Sequence, residues 1–225
     1  MLFRDRTEAG ERLASELSAY ADRPDLLVLG LLRGGVPVAF EVAKALNAPL
    51  DIFLVRKLGA PGQRELAMGA IATGGVRVLN EGIVRNLDIS KRVIDDIAAD
   101  EERELERQER AYRGDHFPVQ ISGRTVILVD EGIATGSTMR AGIAALRIHR
   151  PEGIIVAVPV APPSVCNVLA QEAGEVVCPV RPEFFYAIGQ WYQDFRQITD
   201  QEIRELLARA SQQMVEPAGR RSDTA

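Results

Sequence analysis

Hydrophobic positions follow two alternating patterns along most of the chain. Over residues 7–20 apolar side chains recur at helical spacing (Ala9, Leu13, Leu17, Tyr20) until Asp22-Arg23-Pro24 stops them, which predicts an amphipathic first helix. Leu26-Leu27-Val28-Leu29-Gly30-Leu31 is then apolar without alternation, the pattern of a strand covered on both faces. Past Arg33-Gly34-Gly35, residues 38–46 read as a helix with Pro37 in its first turn, and 50–55 as the next strand. Strand, helix and strand at this spacing make a βαβ unit, whose crossover requires parallel strands.

The second half repeats the alternation. Residues 125–129 predict a strand, and Met139, Ile143 and Leu146 mark one face of a helix ending near Arg150-Pro151. A strand over 154–160, a helix over 165–170 and a last strand over 175–180 follow. Between the halves, Lys57-Leu58-Gly59-Ala60-Pro61-Gly62-Gln63-Arg64 reads as a mobile loop. Residues 68–72 and 76–79 read as a hairpin about Thr73-Gly74-Gly75. Residues 89–113 read as a long helix whose apolar stripe (Ile89, Val93, Ile97) gives way to charge, with Glu106–Arg110 and Glu109–Arg113 in the favourable i,i+4 order. That run predicts a solvated face, with a dimer contact as the other reading.

These elements predict an α/β fold with a doubly wound parallel sheet. The expected layout is one domain over 1–213, with its core at 26–180, an inserted helix at 89–113 and a last segment at 181–213. Residues 214–225, polar with Gly and Pro, are expected to be disordered.

Composition narrows the chemistry. With 225 residues, 46% of them hydrophobic, the chain can bury a substantial core. Its net charge of -5 argues against an extended nucleic-acid surface. The longest apolar run, 26–32, is far short of the ~18 residues that span a bilayer, so no membrane partner is expected. Met1-Leu2-Phe3-Arg4-Asp5-Arg6 offers no apolar signal segment, so a cytoplasmic location is expected. Cys166 and Cys178 match no zinc or redox spacing and read as buried thiols; His116 and His149 read as structural. No GxSxG elbow is present.

The strongest chemical signal is Val126-Ile127-Leu128-Val129, then Asp130-Glu131, then Ala134-Thr135-Gly136-Ser137-Thr138 opening a helix. In a parallel sheet the carboxyl end of a strand opens into the ligand crevice and the next helix aims its N-terminus there. Free backbone N–H groups, joined by the Thr135, Ser137 and Thr138 hydroxyls, make a phosphate cradle, and Gly136 lets the backbone come close. No Gly-Lys-Ser/Thr follows, so this is not a Walker A loop. Two carboxylates beside such a cradle suit the adjacent hydroxyls of a ribose; a capping Asp and Glu is the plainer reading.

The segment from Val126 to Met139 resembles the signature of the type I phosphoribosyltransferases, which bind 5-phosphoribosyl 1-diphosphate (PRPP). Gly30-Leu31-Leu32-Arg33-Gly34-Gly35-Val36-Pro37 resembles that family's pyrophosphate loop. Val55-Arg56-Lys57-Leu58-Gly59-Ala60-Pro61-Gly62 is similar to the basic loop of its adenine enzymes. The phenylalanine- and tyrosine-rich stretch from Phe185 to Phe195 resembles a bacterial subgroup of the family.

The resemblance implies a five-stranded core with a flexible loop hairpin and a small C-terminal hood over 181–213, and transfer of the phosphoribosyl group to a nitrogenous acceptor, a nucleobase in nucleotide salvage, with release of pyrophosphate. It implies that Ala134, Thr135, Gly136, Ser137 and Thr138 hold the 5-phosphate, and that Asp130 and Glu131 hold the ribose hydroxyls. Arg33, Gly34 and Gly35 would grip pyrophosphate, with a strained peptide near Arg33-Gly34, and Arg56, Lys57 and Arg64 would close over it. The catalytic set is Asp130, Glu131 and Lys57. Magnesium would be carried mainly by PRPP oxygens and water, reaching Asp130 and Glu131 only through ribose hydroxyls or water. A homodimer is expected.

Ala134 stands where hypoxanthine-guanine enzymes carry an acid, and Glu131 where Asp is usual. The amino-terminal segment does not resemble the hood of adenine enzymes. Acceptor recognition therefore falls after Val180, on Trp191 and Asp194, unless those aromatics pack a sheet edge or dimer interface. The alternative function is a PRPP-sensing regulator of the same fold with little or no turnover, its helix 89–113 serving a protein partner. A PRPP synthase-like kinase half is weaker, because no ATP loop is visible.

Overall fold

Two β-sheets divide the strands of the computed structural model, which describes residues 2–114 and 118–215, the side chains at 64, 65, 214 and 215 excepted. Along the chain run α1 (Arg6–Glu16), β1 (Leu26–Leu31), α2 (Gly35–Leu46), β2 (Leu50–Phe53), β3 (Val55–Ala60), β4 (Gln63–Ala72), β5 (Val76–Leu79), α3 (Glu81–Asn86) and α4 (Lys91–Arg113). Then follow β6 (Thr125–Val129), α5 (Ser137–Ile148), β7 (Gly153–Ala157), α6 (Pro163–Ala173), β8 (Gly174–Val177) and α7 (Asp200–Val215). The main sheet has five parallel strands in the order β2-β1-β6-β7-β8. A three-stranded antiparallel sheet, β3-β4-β5, stands beside it.

The unbroken apolar runs follow from helices on both faces of the main sheet. Leu26 and Val28 of β1, with Ile127 and Val129 of β6, meet α1 and α2 through Leu13, Leu17, Val38 and Val42. Their neighbours Leu27, Leu29, Val126 and Leu128 point the other way, onto Met139 and Ile143 of α5 and Leu169 of α6. A separate core joins the small sheet to α4 and α7 through Leu58, Met68, Ile71, Ile94, Leu105 and Ile203. Among the described residues no helix is long and apolar enough to cross a membrane.

Several expectations are corrected. Residues 57–64 are a hairpin, not a loop: β3 and β4 pair antiparallel and the glycine-rich stretch contributes irregular register at Leu58, Gly59 and Ala60. The strand expected over 50–55 ends at Phe53, and Val55 starts β3 in the other sheet. The buried stripe of α4 is Ile94, Ala98, Leu105 and Tyr112, turned from the expected one because hairpin and α7 lie on that side. Helices α3 and α7 were not anticipated. The residues beyond β8 pair with the amino-terminal segment: Phe3 bridges Tyr192 in parallel, and Asp194 N–H donates to Arg4 O at 2.9 Å. Both cysteines are free and buried, and the ring Nε2 of His149 lies 3.3 Å from Thr73 O. His116 and residues 216–225 of the expected tail lie outside the described residues, while 214 and 215 end α7.

Candidate active site

The carboxyl ends of β1 and β6, adjacent in the sheet, converge on one crevice. Past β6 the chain turns through Gly136, whose φ of 78° is a conformation glycine adopts without steric cost, and enters α5. No side chain caps that helix end, so its first N–H groups face outward with the dipole behind them. The Thr135 and Ser137 hydroxyl oxygens stand 3.3 Å apart at its mouth. Residues 132–139, with Asp130 and Ile188, line a pocket of about 180 Å³. All five cradle residues read from the sequence are thus brought together.

The loop after β1 lies directly against this strand end. The Leu32–Arg33 peptide is cis, one bond before the position expected. A Cβ on Gly34 would stand 1.6 Å from Glu131 Oε2, and one on Gly35 2.7 Å from Val129 O, so only glycine allows this approach. Arg33 pairs with Asp200 of α7 (Nη2 to Oδ1, 3.3 Å), and the Tyr112 hydroxyl of α4 donates to the same oxygen at 3.0 Å. Burial first, then that carboxylate, raises the Tyr112 phenol. On the hairpin, Arg56 Nε donates to Glu101 Oε2 at 2.5 Å. Lys57 is exposed and has no ion pair among the described residues. Arg64 lies on β4 with its side chain outside the described set.

The acidic pair is electrostatically uneven. Asp130 Oδ1 accepts from the Glu131 N–H at 2.9 Å, yet burial, and after it the Glu131 charge, push this carboxyl up to about 8. Glu131 instead holds an ion pair with Arg6, itself 7% exposed. The Tyr192 hydroxyl donates to Glu131 O at 2.5 Å, and burial followed by the Glu131 charge raises that phenol. Arg6 completes its contacts over the Phe195 ring, 4.3 Å from the centroid, and donates to Arg196 O at 3.0 Å.

The acceptor candidates are split. Trp191 stacks on Phe185 with centroids 6.3 Å apart, and its buried Nε1 has no partner among the described residues. Asp194 is exposed, accepts from the Arg196 N–H at 3.0 Å and lines a pocket of about 310 Å³ with Arg6 and Arg196. Phe184 and Tyr186 present bare rings, 82% and 81% exposed. Arg6 and Asp200 are not singled out by the sequence, and Tyr192 shows there only as one of the clustered aromatics after Val180. Arg6 shows only as the first residue of α1 after its Asp5 cap, which carries no hint of a partner at position 131.

The family model described as "Phosphoribosyl transferase domain" matches residues 4–179. Two strains of Mycobacterium tuberculosis each hold a protein named "Putative phosphoribosyl transferase", 43% identical over 215 residues, 96% of this chain and 48% of theirs. The chain therefore spans about half the length of these curated relatives. The crystal structure of TT1426 from Thermus thermophilus is 40% identical, covers 93% of this chain and 99% of its own, and superposes with a TM-score of 0.84.

Proposed function

The chain belongs to the phosphoribosyl transferase family, and from that membership we propose that it transfers the phosphoribosyl group of PRPP to a nitrogenous acceptor, a nucleobase, and releases pyrophosphate. The pocket at the N-terminus of α5 carries this reading, because it offers outward N–H groups, hydroxyls and no side-chain cation, the make-up of a site for one phosphate. The 5-phosphate sits against residues 134–138, and the acidic pair serves the ribose. The diphosphate lies against Gly34 and Gly35, where Lys57 reaches it unpaired and Arg33 and Arg56 exchange their carboxylates for it. Cations at the leaving group stabilise the charge that develops as the anomeric bond breaks. The hairpin from Val55 to Ala72 can cover the site and exclude water.

The donors at the pair are hard carboxylate oxygens, the class that suits magnesium, and no cluster of three metal-ligating side chains forms among the described residues. In this reading magnesium would be carried by the substrate, with Asp130 and Glu131 reaching it through hydroxyls or water. When bound it neutralises the diphosphate leaving group. The bare Phe184 and Tyr186 rings support a flat acceptor. A homodimer in the cytoplasm is the setting this reading implies.

Calorimetric titration with PRPP and magnesium tests the binding, and pyrophosphate release with a panel of bases tests the transfer. Thr135→Ala should weaken PRPP binding by roughly tenfold, the worth of one hydrogen bond to a charged group. Absence of binding at millimolar PRPP refutes the proposal. Binding with no release for any base supports the sensor.

A further inference from the structure

Asp200 opens α7 but does not cap it. Thr199 does that: its Oγ1 accepts from the Glu202 N–H at 3.2 Å, and Glu202 Oε2 accepts from the Thr199 N–H at 2.9 Å. The Asp200 carboxylate faces side chains instead, and a single oxygen, Oδ1, serves two of them. It accepts from the Tyr112 hydroxyl at 3.0 Å and lies 3.3 Å from Arg33 Nη2. These two donors are held very differently. The Arg33 side chain, in the turn between β1 and α2, is 42% exposed, whereas Tyr112, in the last turn of α4, is buried in one core with Ile198 and Ile203. Arg107, another α4 cation near Asp200, is forked onto Glu104 with both bonds at 2.7 Å.

We infer that Tyr112 is a positioning residue for leaving-group binding: its hydroxyl keeps the Asp200 carboxylate in place when a diphosphate takes Arg33 from it. The inference deepens the transferase reading and rests on it, because it needs Arg33 to serve the diphosphate. While both donors share Oδ1, each weakens the other's bond. Once the guanidinium leaves, the hydroxyl has that oxygen to itself and its charge-assisted bond tightens. Tyr112 is fixed by the core and cannot follow Arg33, so the acid stays with α4 and α7 instead of trailing the cation toward a second anion. Without the hydroxyl, release of Arg33 leaves Asp200 with no side-chain donor among the described residues, and the acid competes harder for the guanidinium.

The test is calorimetry on the full chain, with magnesium pyrophosphate as the leaving-group probe and ribose 5-phosphate as the control for the cradle. Tyr112→Phe, which keeps the ring in the core, should weaken pyrophosphate binding by about three- to tenfold and leave ribose 5-phosphate within about twofold. Asp200→Asn removes the competing charge and should tighten pyrophosphate binding by about two- to fivefold, the range open to a part-exposed pair. Tyr112→Phe added to Asp200→Asn should change nothing further, because the hydroxyl acts only through that carboxylate. A Tyr112 needed merely to pack α4 against α7 would weaken binding in both backgrounds or for both probes. Either result overturns the inference, and so does an Asp200→Asn chain that gains no affinity. Arg33→Gln should weaken pyrophosphate binding by roughly tenfold; if it does not, Arg33 lies outside the leaving-group site and the inference falls while the transferase reading stands. A wild-type chain that binds neither probe overturns the reading itself and the inference with it. Thermal unfolding is followed throughout, and if Tyr112→Phe does not fold, the gain or its absence in Asp200→Asn decides.

Discussion

Replacing Asp130 by Asn removes a carboxyl that the fold holds against its own charge. Burial and the neighbouring Glu131 raise it from 3.8 to about 8, and the Glu131 N–H and Arg6 oppose this without cancelling it. Between those values the folded chain keeps a proton that the unfolded chain has given up. Unfolding then releases a proton, so stability falls as pH rises across the window, is undiminished below 3.8 and levels off above about 8. At about 1.4 kcal/mol per pH unit the full interval is worth about 6 kcal/mol. The carboxyl is only partly buried by its surface, and water screens it, which leaves about 2–3 kcal/mol.

Asn at this position accepts from the Glu131 N–H without carrying charge, so it escapes the penalty. Urea unfolding of the two proteins at about pH 5, 7 and 9, in one buffer of constant ionic strength, reads the difference. The variant should gain on the wild type as pH rises, by about 2 kcal/mol across that range. A difference that stays constant, or that favours the wild type more at high pH, would show that Asp130 ionises freely in the fold and would refute the reasoning.

Gly34→Ala should destabilise the chain by about 1–3 kcal/mol and weaken pyrophosphate binding, since its Cβ would stand 1.6 Å from Glu131 Oε2. A Gly34→Ala chain that keeps the wild-type thermal midpoint and pyrophosphate affinity would show that the Glu131 carboxylate moves aside freely and would refute the clash. Arg113 is buried, donates to Asp51 Oδ1 at 2.9 Å and to Ile52 O at 2.8 Å. Arg113→Leu, which leaves Asp51 charged with only the Ile52 and Val119 N–H groups as donors, should cost about 3–5 kcal/mol in urea unfolding, and Arg113→Leu with Asp51→Asn markedly less.

The sequence shows most clearly what local pattern encodes. The parallel core was legible because β1 and β6 are covered on both faces and must be apolar throughout, and the cradle because strand, acids, glycine and helix follow one another within fourteen residues. The hairpin at 57–64 was not, since its glycines and proline signal a turn and its strand character comes from pairing with residues up to position 72. Helix α7 did carry a helical stripe, Ile203, Leu206, Leu207 and Ala210, that could have been read, and with it the true inner face of α4. The Arg6–Glu131 pair lies 125 positions apart and leaves no periodic trace.

Net charge makes the remaining point about how this site can take a polyanion. A chain at -5 does not attract diphosphate overall, and two of the cations assigned to it, Arg33 and Arg56, are already neutralised by Asp200 and Glu101. Those pairs are part-exposed, with Arg33 and Asp200 open to solvent by 42% and 49%, so each is worth only about 0–1 kcal/mol. In the proposed reading, exchanging such partners for a diphosphate costs little, so the acids of α7 and α4 would not compete seriously with the ligand. Affinity would then rest on the fixed groups, the α5 amides and the glycine loop, rather than on these exchangeable pairs.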